Sequence, residues 1–336
     1  MMDYPVIWFV LIAVLFTGFF FLEGFDYGVG MLCPFISDRD EDRSMILRTI
    51  GPVWDGNEVW MITAGGALFA AFPHVYATMF STFYLALFLM LVALILRGVA
   101  FELRTKEKCT CWRKTWEWSI FTGSLVPAFL WGVAVTDLMA GLPIGENMVY
   151  QGNFLGLLSP YSILGGLVFV FVFAYHGAAF LHLRLADQGL CQRIRGLGRC
   201  LGLFGALFFV CYLVMTASHT DILARPCALG LFIAAALFFV LSYLRFWHNG
   251  GKVSFILSSL SIASVTLGVF AGLFPRIMVS SLNPAWSLTI TNASSTTYTL
   301  SIMTVAAFIL VPIVLIYQIW TYYIFRQRIT PKDIAH

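Results

Sequence analysis

Four carboxylic acids sit in stretches that are otherwise almost wholly apolar: Glu23 and Asp26, then Asp55 and Glu58. Each pair is spaced i,i+3, which on a helix puts both carboxyls on one face. With ~1.5 Å of rise per residue, Asp55 and Glu58 lie close to one edge of their stretch, and Glu23 and Asp26 roughly two turns in from the same edge. An ionisable side chain inside a bilayer costs about 2.5–3.5 kcal/mol on insertion scales, so each one asks for a reason. Carboxyls in such surroundings can take up and release protons near neutral pH, and proton handling is therefore the functional reading. The structural alternative is that they cap helices, bond to backbone or meet an arginine at a subunit contact. No Lys or Arg falls within either stretch, so these acids have no cation of their own. Asp55 is open to both readings, because Asp just before an apolar run is also a good N-cap.

Glycines accompany the acids. Gly24, Gly28 and Gly30 line the first stretch, and the small-xxx-small spacing of Gly24 and Gly28 lets another helix approach closely. A phosphate-binding Gly-x-Gly loop would need a preceding strand, and none is available. Among the histidines only His176 lies deep. Haem ligation would need a second histidine, or a Met or Glu, facing it across a helix pair, so a hydrogen-bonded core histidine is the favoured reading. Cys109, Cys111, Cys191 and Cys200 match no zinc-site spacing.

The elements that must position these residues follow from composition. The chain of 336 residues is 60% hydrophobic and 11% charged, whereas soluble domains run near ~45–50% and ~25%. A net charge of +3 gives no sign of nucleic-acid binding. Crossing a ~30 Å hydrocarbon layer takes about 20 apolar residues. Runs of that kind fall at roughly 5–32, 53–72, 76–97, 117–139, 160–183, 197–217, 226–246, 253–274 and 300–325. Apolar/polar alternation is absent, which excludes a barrel. The expected fold is therefore all-α and integral to the membrane, a single domain of about nine transmembrane helices. Pro127 and Pro312 lie within spans and are expected to kink them. Trp8, Trp60, Trp118, Trp247 and Trp320 fall near span ends, as interfacial anchors should. Of the 20 Lys and Arg, all but Arg225 and Arg276 fall in loops after odd-numbered spans or in the C-terminal tail. The clusters are Arg39/Arg43/Arg48, Arg97 to Lys114, Arg184 to Arg199, and Arg326/Arg328/Lys332. Positive residues stay inside, so the N-terminus is expected outside and the C-terminus in the cytoplasm.

Two segments carry a resemblance. Glu23-Gly-Phe-Asp-Tyr-Gly-Val-Gly-Met31, then Gly51-Pro-Val-Trp54-Asp-Gly-Asn57-Glu-Val-Trp60, are similar to subunit II of the cytochrome bd quinol oxidases. The stretches Thr63 to Pro73, Arg97 to Arg104, Gly152-Asn-Phe154 and Arg328 to Ile334 also resemble that family. The resemblance implies a nine-helix subunit, two four-helix bundles plus one peripheral helix, in the bacterial cytoplasmic membrane. It implies a partner subunit I that carries two haem b and one haem d and oxidises quinol, with this chain haem-free. A structural quinone in this chain and a small third subunit are further members of that picture. The complex would reduce oxygen to water with cytoplasmic protons, and the acid matching Asp55 lies on the uptake path. Some relatives carry Gln at the position of Glu58 and Asp at that of Glu23, and His176 is not uniform. The rival reading from the residues alone is a proton-coupled transporter. That would call for paired half-helices in two repeated halves, and none is evident.

Overall fold

The computed structural model of the chain describes residues 3–248 and 250–334; the side chains of residues 332 and 334 lie outside it, so Lys332 of the C-terminal basic cluster is not described. In chain order the helices are α1 (Tyr4–Ile36), α2 (Asp40–Ile50), α3 (Trp54–Ala71), α4 (Pro73–Thr82), α5 (Tyr84–Leu103) and α6 (Thr110–Ala140). They continue as α7 (Pro160–Arg184), α8 (Gln188–His219), α9 (Pro226–Trp247), α10 (Gly251–Leu273) and α11 (Thr297–Ile324). A short antiparallel pair, β1 (Arg276–Met278) and β2 (Leu288–Thr289), closes the loop before α11 with Arg276 opposite Thr289.

Side-chain caps start several helices. Asp187 accepts from the Leu190 amide at 2.8 Å at the head of α8, and Ser159, followed by Pro160, accepts from Ser162 at 3.1 Å at the head of α7. Eight helices among the described residues are long and apolar enough to cross a membrane: α1 and α5 to α11 without a gap. The remaining predicted run, 53–72, is α3, which has only 18 residues and opens on Trp54-Asp-Gly-Asn-Glu58. The run at 76–97 is divided: α4 ends at Thr82, and α5 begins at Tyr84 and goes on to Leu103. The loop at 33–52 holds the amphipathic helix α2.

One group of helices forms around α1, which packs on α3 and α6, with α5 on α6. A second is made by α7 to α10, and α7 joins the two by packing on both α1 and α6. The inner seam is made by small residues. A Cβ added to Gly28 would lie 2.8 Å from the Cα and N of Gly177, so α1 and α7 meet backbone to backbone. Gly24 faces Phe173 and Gly30 faces Ser124. The close approach expected of these glycines is thus made within this chain, and no surface remains at them for a partner. Phe16, Phe19 and Phe20 surround Trp131 of α6 edge-on, with centroids 5.4–5.9 Å apart, contacts worth ~0.5–1.5 kcal/mol each beyond the buried area.

α11 is mostly exposed and is held by polar hooks. Near its start, Trp8 Nε1 donates to the Leu300 carbonyl at 3.3 Å and to Thr304 Oγ1 at 3.1 Å. Nearer its end, Trp60 Nε1 donates to Gln318 Oε1 at 2.8 Å. Trp8 and Trp60 are thus inward-facing ties, whereas Trp118, Trp247 and Trp320 are exposed as anchors would be.

Candidate functional site

The second half of α1 carries Glu23 and Asp26, both without solvent exposure. Across from them comes a residue that the sequence reading had set in a loop. Because α5 runs on to Leu103, Arg97 lies nearly two turns inside its end and is fully buried. Its Nη1 donates to Glu23 Oε1 and, at 3.2 Å, to Glu58 Oε1. The guanidinium also stands 4.8 Å over the Tyr27 ring. The expectation that these acids lack a cation is corrected: α1, α3 and α5 bring Glu23, Glu58 and Arg97 to one point. Glu23 Oε2, Asp26 Oδ1, Tyr27 Oη and Arg97 Nε and Nη2 are buried with no partner, so the cluster keeps unused bonding capacity.

Asp26 belongs to a branch of the same site. Asn57 Nδ2 donates to Asp26 Oδ2 at 2.6 Å, and Asn57 Oδ1 accepts from Tyr322 Oη of α11 at 2.8 Å. Tyr322 fixes which way the Asn57 amide points and holds its N–H on the acid. Trp54 packs on Phe101 of α5 with centroids 5.0 Å apart. Asp55 stands apart from the cluster. The N-cap of α3 is Val53, so Asp55 makes no cap bond; it is exposed in the first turn, where a negative charge suits the helix dipole. Of the four acids, the fold gathers Glu23, Asp26 and Glu58 and leaves Asp55 at the mouth, one turn from Glu58.

Other polar side chains are accounted for structurally. His176 Nδ1 lies 2.7 Å from Ser258 Oγ and Nε2 lies 3.1 Å from the Phe21 carbonyl, so both nitrogens are engaged and unsuited to ligating haem iron. His74, His219 and His248 are exposed. Among the described residues, no group of three or more His, Cys, Asp or Glu could hold a metal ion. Two acids escaped sequence reasoning. Glu117, buried at the base of α6, accepts from Arg104 Nε at 3.1 Å and pairs with Arg43, which clamps α2 onto the bundle. Asp137 accepts from Ser162 Oγ at 2.6 Å, at the N-terminal turn of α7. The signal for both was an acid within a turn or so of a span's end with a basic cluster or a Ser-Pro start nearby. Tyr322 and Gln318 carried no such signal.

A bundle of membrane helices enclosing an arginine–carboxylate cluster defines a class: a polytopic membrane protein with polar chemistry buried near one end. Over residues 4–325 the chain matches the family described as cytochrome bd terminal oxidase subunit II, and it belongs to that family. It is 40% identical to the cytochrome bd ubiquinol oxidase subunit 2 of Bacillus subtilis (strain 168), covering 97% of each chain. It is 37% identical to the cytochrome bd-I ubiquinol oxidase subunit 2 of Escherichia coli (strain K12), covering 99% of this chain and 98% of that one. A chain of the bd oxidase from Geobacillus thermodenitrificans superposes with a TM-score of 0.76 at 19% identity, over 96% of this chain and 97% of that one, a likeness of fold. The protein is thus a multi-pass subunit of a haem-containing terminal oxidase of the bacterial inner membrane, and the transporter reading falls.

Proposed function

We propose that this chain is the haem-free second subunit of a quinol:oxygen oxidoreductase. In this reading it supports a haem-bearing subunit I and admits cytoplasmic protons at Asp55, with Glu58 and then Glu23 or Asp26 continuing the relay or tuning it around the fixed charge of Arg97. The carrying observation is a charge imbalance. Glu23 and Glu58 share one buried guanidinium, and buried Asp26 beside them bonds Asn57 and has no cation of its own. Buried charges must be paired or neutralised, so the surplus carboxyls hold protons. The cluster reaches the surface through half-buried Glu58, beside exposed Asp55. Oxygen reduction consumes protons, so such a reservoir has a use in an oxidase.

Engagement of His176 supports haem on the partner, and quinol oxidation would then occur there too. A structural quinone would find an apolar cavity lined by Phe16, Phe20, Leu68, Met90, Trp131 and Phe270, in which Trp131 Nε1 lacks a partner. For the partner, the outer face of α3 offers Gly56 and Gly66, where an added Cβ meets nothing within 4 Å, between exposed Val59, Ile62, Thr63 and Phe69. The test is Asp55→Asn. It should assemble with full haem content and lose quinol oxidase activity several-fold or more. Full activity, or failure to assemble, would overturn the proton-entry role.

A further inference from the structure

Arg195 and Arg199 lie four residues apart on α8 and leave the same face of that helix. That face crosses the turn between α9 and α10. Arg199 stands 3.9 Å over the Trp247 ring and donates to the Trp247 carbonyl at 3.2 Å. Arg195 Nη2 lies 3.3 Å from His182 Nε2. Arginine can only donate, so Nε2 accepts and the ring proton sits on Nδ1. That Nδ1 has no partner, although His182 is only 9% exposed, and it faces the first residue of α10: a Cβ on Gly251 would come within 2.5 Å of it. The N-cap of α10 is Gly250, which has no side chain to accept the first amides. Lys252 sits in that first turn, and Arg245 is in the last turn of α9.

The bias of positive residues to one side accounts for cations here but not for their lack of partners. Elsewhere on the same side Arg43, Arg104 and Arg113 each find a carboxylate, and Arg193 pairs with Asp42 at 3.8 Å. Among the described residues, Arg195, Arg199, Arg245 and Lys252 pair with none. Arg195 Nε and Arg199 Nε are also buried without acceptors. Arg195, Arg199 and three orphaned nitrogen atoms lie against the uncapped start of α10, with Arg245 and Lys252 on the two helix ends that adjoin this lip, and together they call for an anion. Below the lip the surface turns apolar and faces outward, with Leu203 and Leu207 on α8 and Leu241 and Leu244 on α9. An anion with attached hydrocarbon matches both halves.

We propose that this lip binds the phosphate group of an acidic phospholipid, its acyl chains lying along α8 and α9. Trp247, exposed beside Arg199, sits at the level where the headgroup meets the chains. The assignment does not depend on the proton-entry reading and is tested by a binding measurement. The intact oxidase complex is titrated with phosphatidylglycerol or phosphatidylcholine in mild detergent, and bound lipid is counted by native mass spectrometry. Phosphatidylglycerol should bind preferentially. Since each basic residue near an acidic headgroup is worth ~1 kcal/mol, Arg199→Gln and Lys252→Gln should each weaken that binding about five-fold. Arg199→Lys should retain most of it, and Arg276→Gln, on the opposite side, should change nothing. Equal binding of both lipids, or unchanged affinity in Arg199→Gln and Lys252→Gln complexes of normal haem content, would overturn the site. Binding of inorganic phosphate at matched ionic strength, with no preference between the two lipids, would assign the lip to a free anion and overturn the lipid assignment.

Discussion

Arg97 carries the most consequence of any single side chain in the cluster. Breaking a buried ion pair from one side leaves an uncompensated charge, at a cost of about 3–5 kcal/mol, and here two carboxyls lose their cation together. Arg97→Gln should therefore abolish accumulation of assembled, haem-replete oxidase. The double variant Arg97→Gln/Glu23→Gln should recover part of it, because the orphaned acid has gone too. Quantifying haem in purified membranes reads both, and equal loss in single and double variants would mean the pairing is not what matters. Glu58→Gln is expected to be mild, since an amide can still accept from Arg97 Nη1. Tyr322→Phe removes the donor that orients Asn57. Haem should be retained while quinol oxidase activity falls, and wild-type turnover would sink the orienting role. The four acids were legible in the sequence because a carboxylate in an apolar run stands out. Arg97 was not, since a cation near a predicted span end looks like any other interfacial charge until the helix is seen to extend past it. Tyr322 was hidden for a different reason: its partner lies far away in sequence.

At the level of the helices, the apolar runs 160–183 and 226–246 match α7 and α9 closely. By contrast α6 and α8 start at Thr110 and Gln188, well before the runs at 117–139 and 197–217, because their first turns are polar and lie outside the apolar stretch. Readability failed where one helix ends in an apolar context. Only Ser81 and Thr82 mark the break at Phe83 between α4 and α5, and uncharged hydroxyls are too mild a signal to divide an apolar run; only the start of α3 is polar enough to weaken it as a span. Glycine spacing announced close approach correctly but could not tell an inner seam from an outer one. Substitution separates the two. Gly28→Leu drives a side chain into the backbone of α7 at Gly177 and should prevent the chain from folding, read as loss of the subunit itself from membranes. Gly66→Leu meets open space in this chain. It should leave the subunit present while weakening its association with the partner, read by co-purification. If Gly66→Leu co-purifies normally, the docking face is not this side of α3.

The loops of the whole molecule sort into two sets by their own contacts, independently of charge. On one side the Leu142 amide donates to the Val279 carbonyl at 2.9 Å, the Ser295 amide donates to the Ala71 carbonyl at 2.8 Å, and Arg276 bonds both carboxylate oxygens of Asp221 at 2.7 and 2.8 Å. On the other, the C-terminal tail is stitched to the start of the α7–α8 loop, with the Ile329 amide on the Arg184 carbonyl at 2.8 Å and the Ala186 amide on the Ile329 carbonyl at 3.1 Å. Arg48 reaches the Asp333 carbonyl and ties α2 to the same face. The second set holds the basic clusters. The first holds only Arg225 and Arg276, and both are spent locally, one on the Phe274 carbonyl and one on Asp221. Cations flanking membrane helices are retained in the cytoplasm, so the stitched tail, α2 and the α5–α6 loop should share that side. Reporter fusions at residues 106, 190 and 330 should then register as cytoplasmic, and those near 146 and 290 as external. Since contacts group the sites before charge orients them, the fusions must move together. A split result, with 106 and 190 on opposite sides, would contradict the packing itself, whereas wholesale inversion would overturn only the inference from charge.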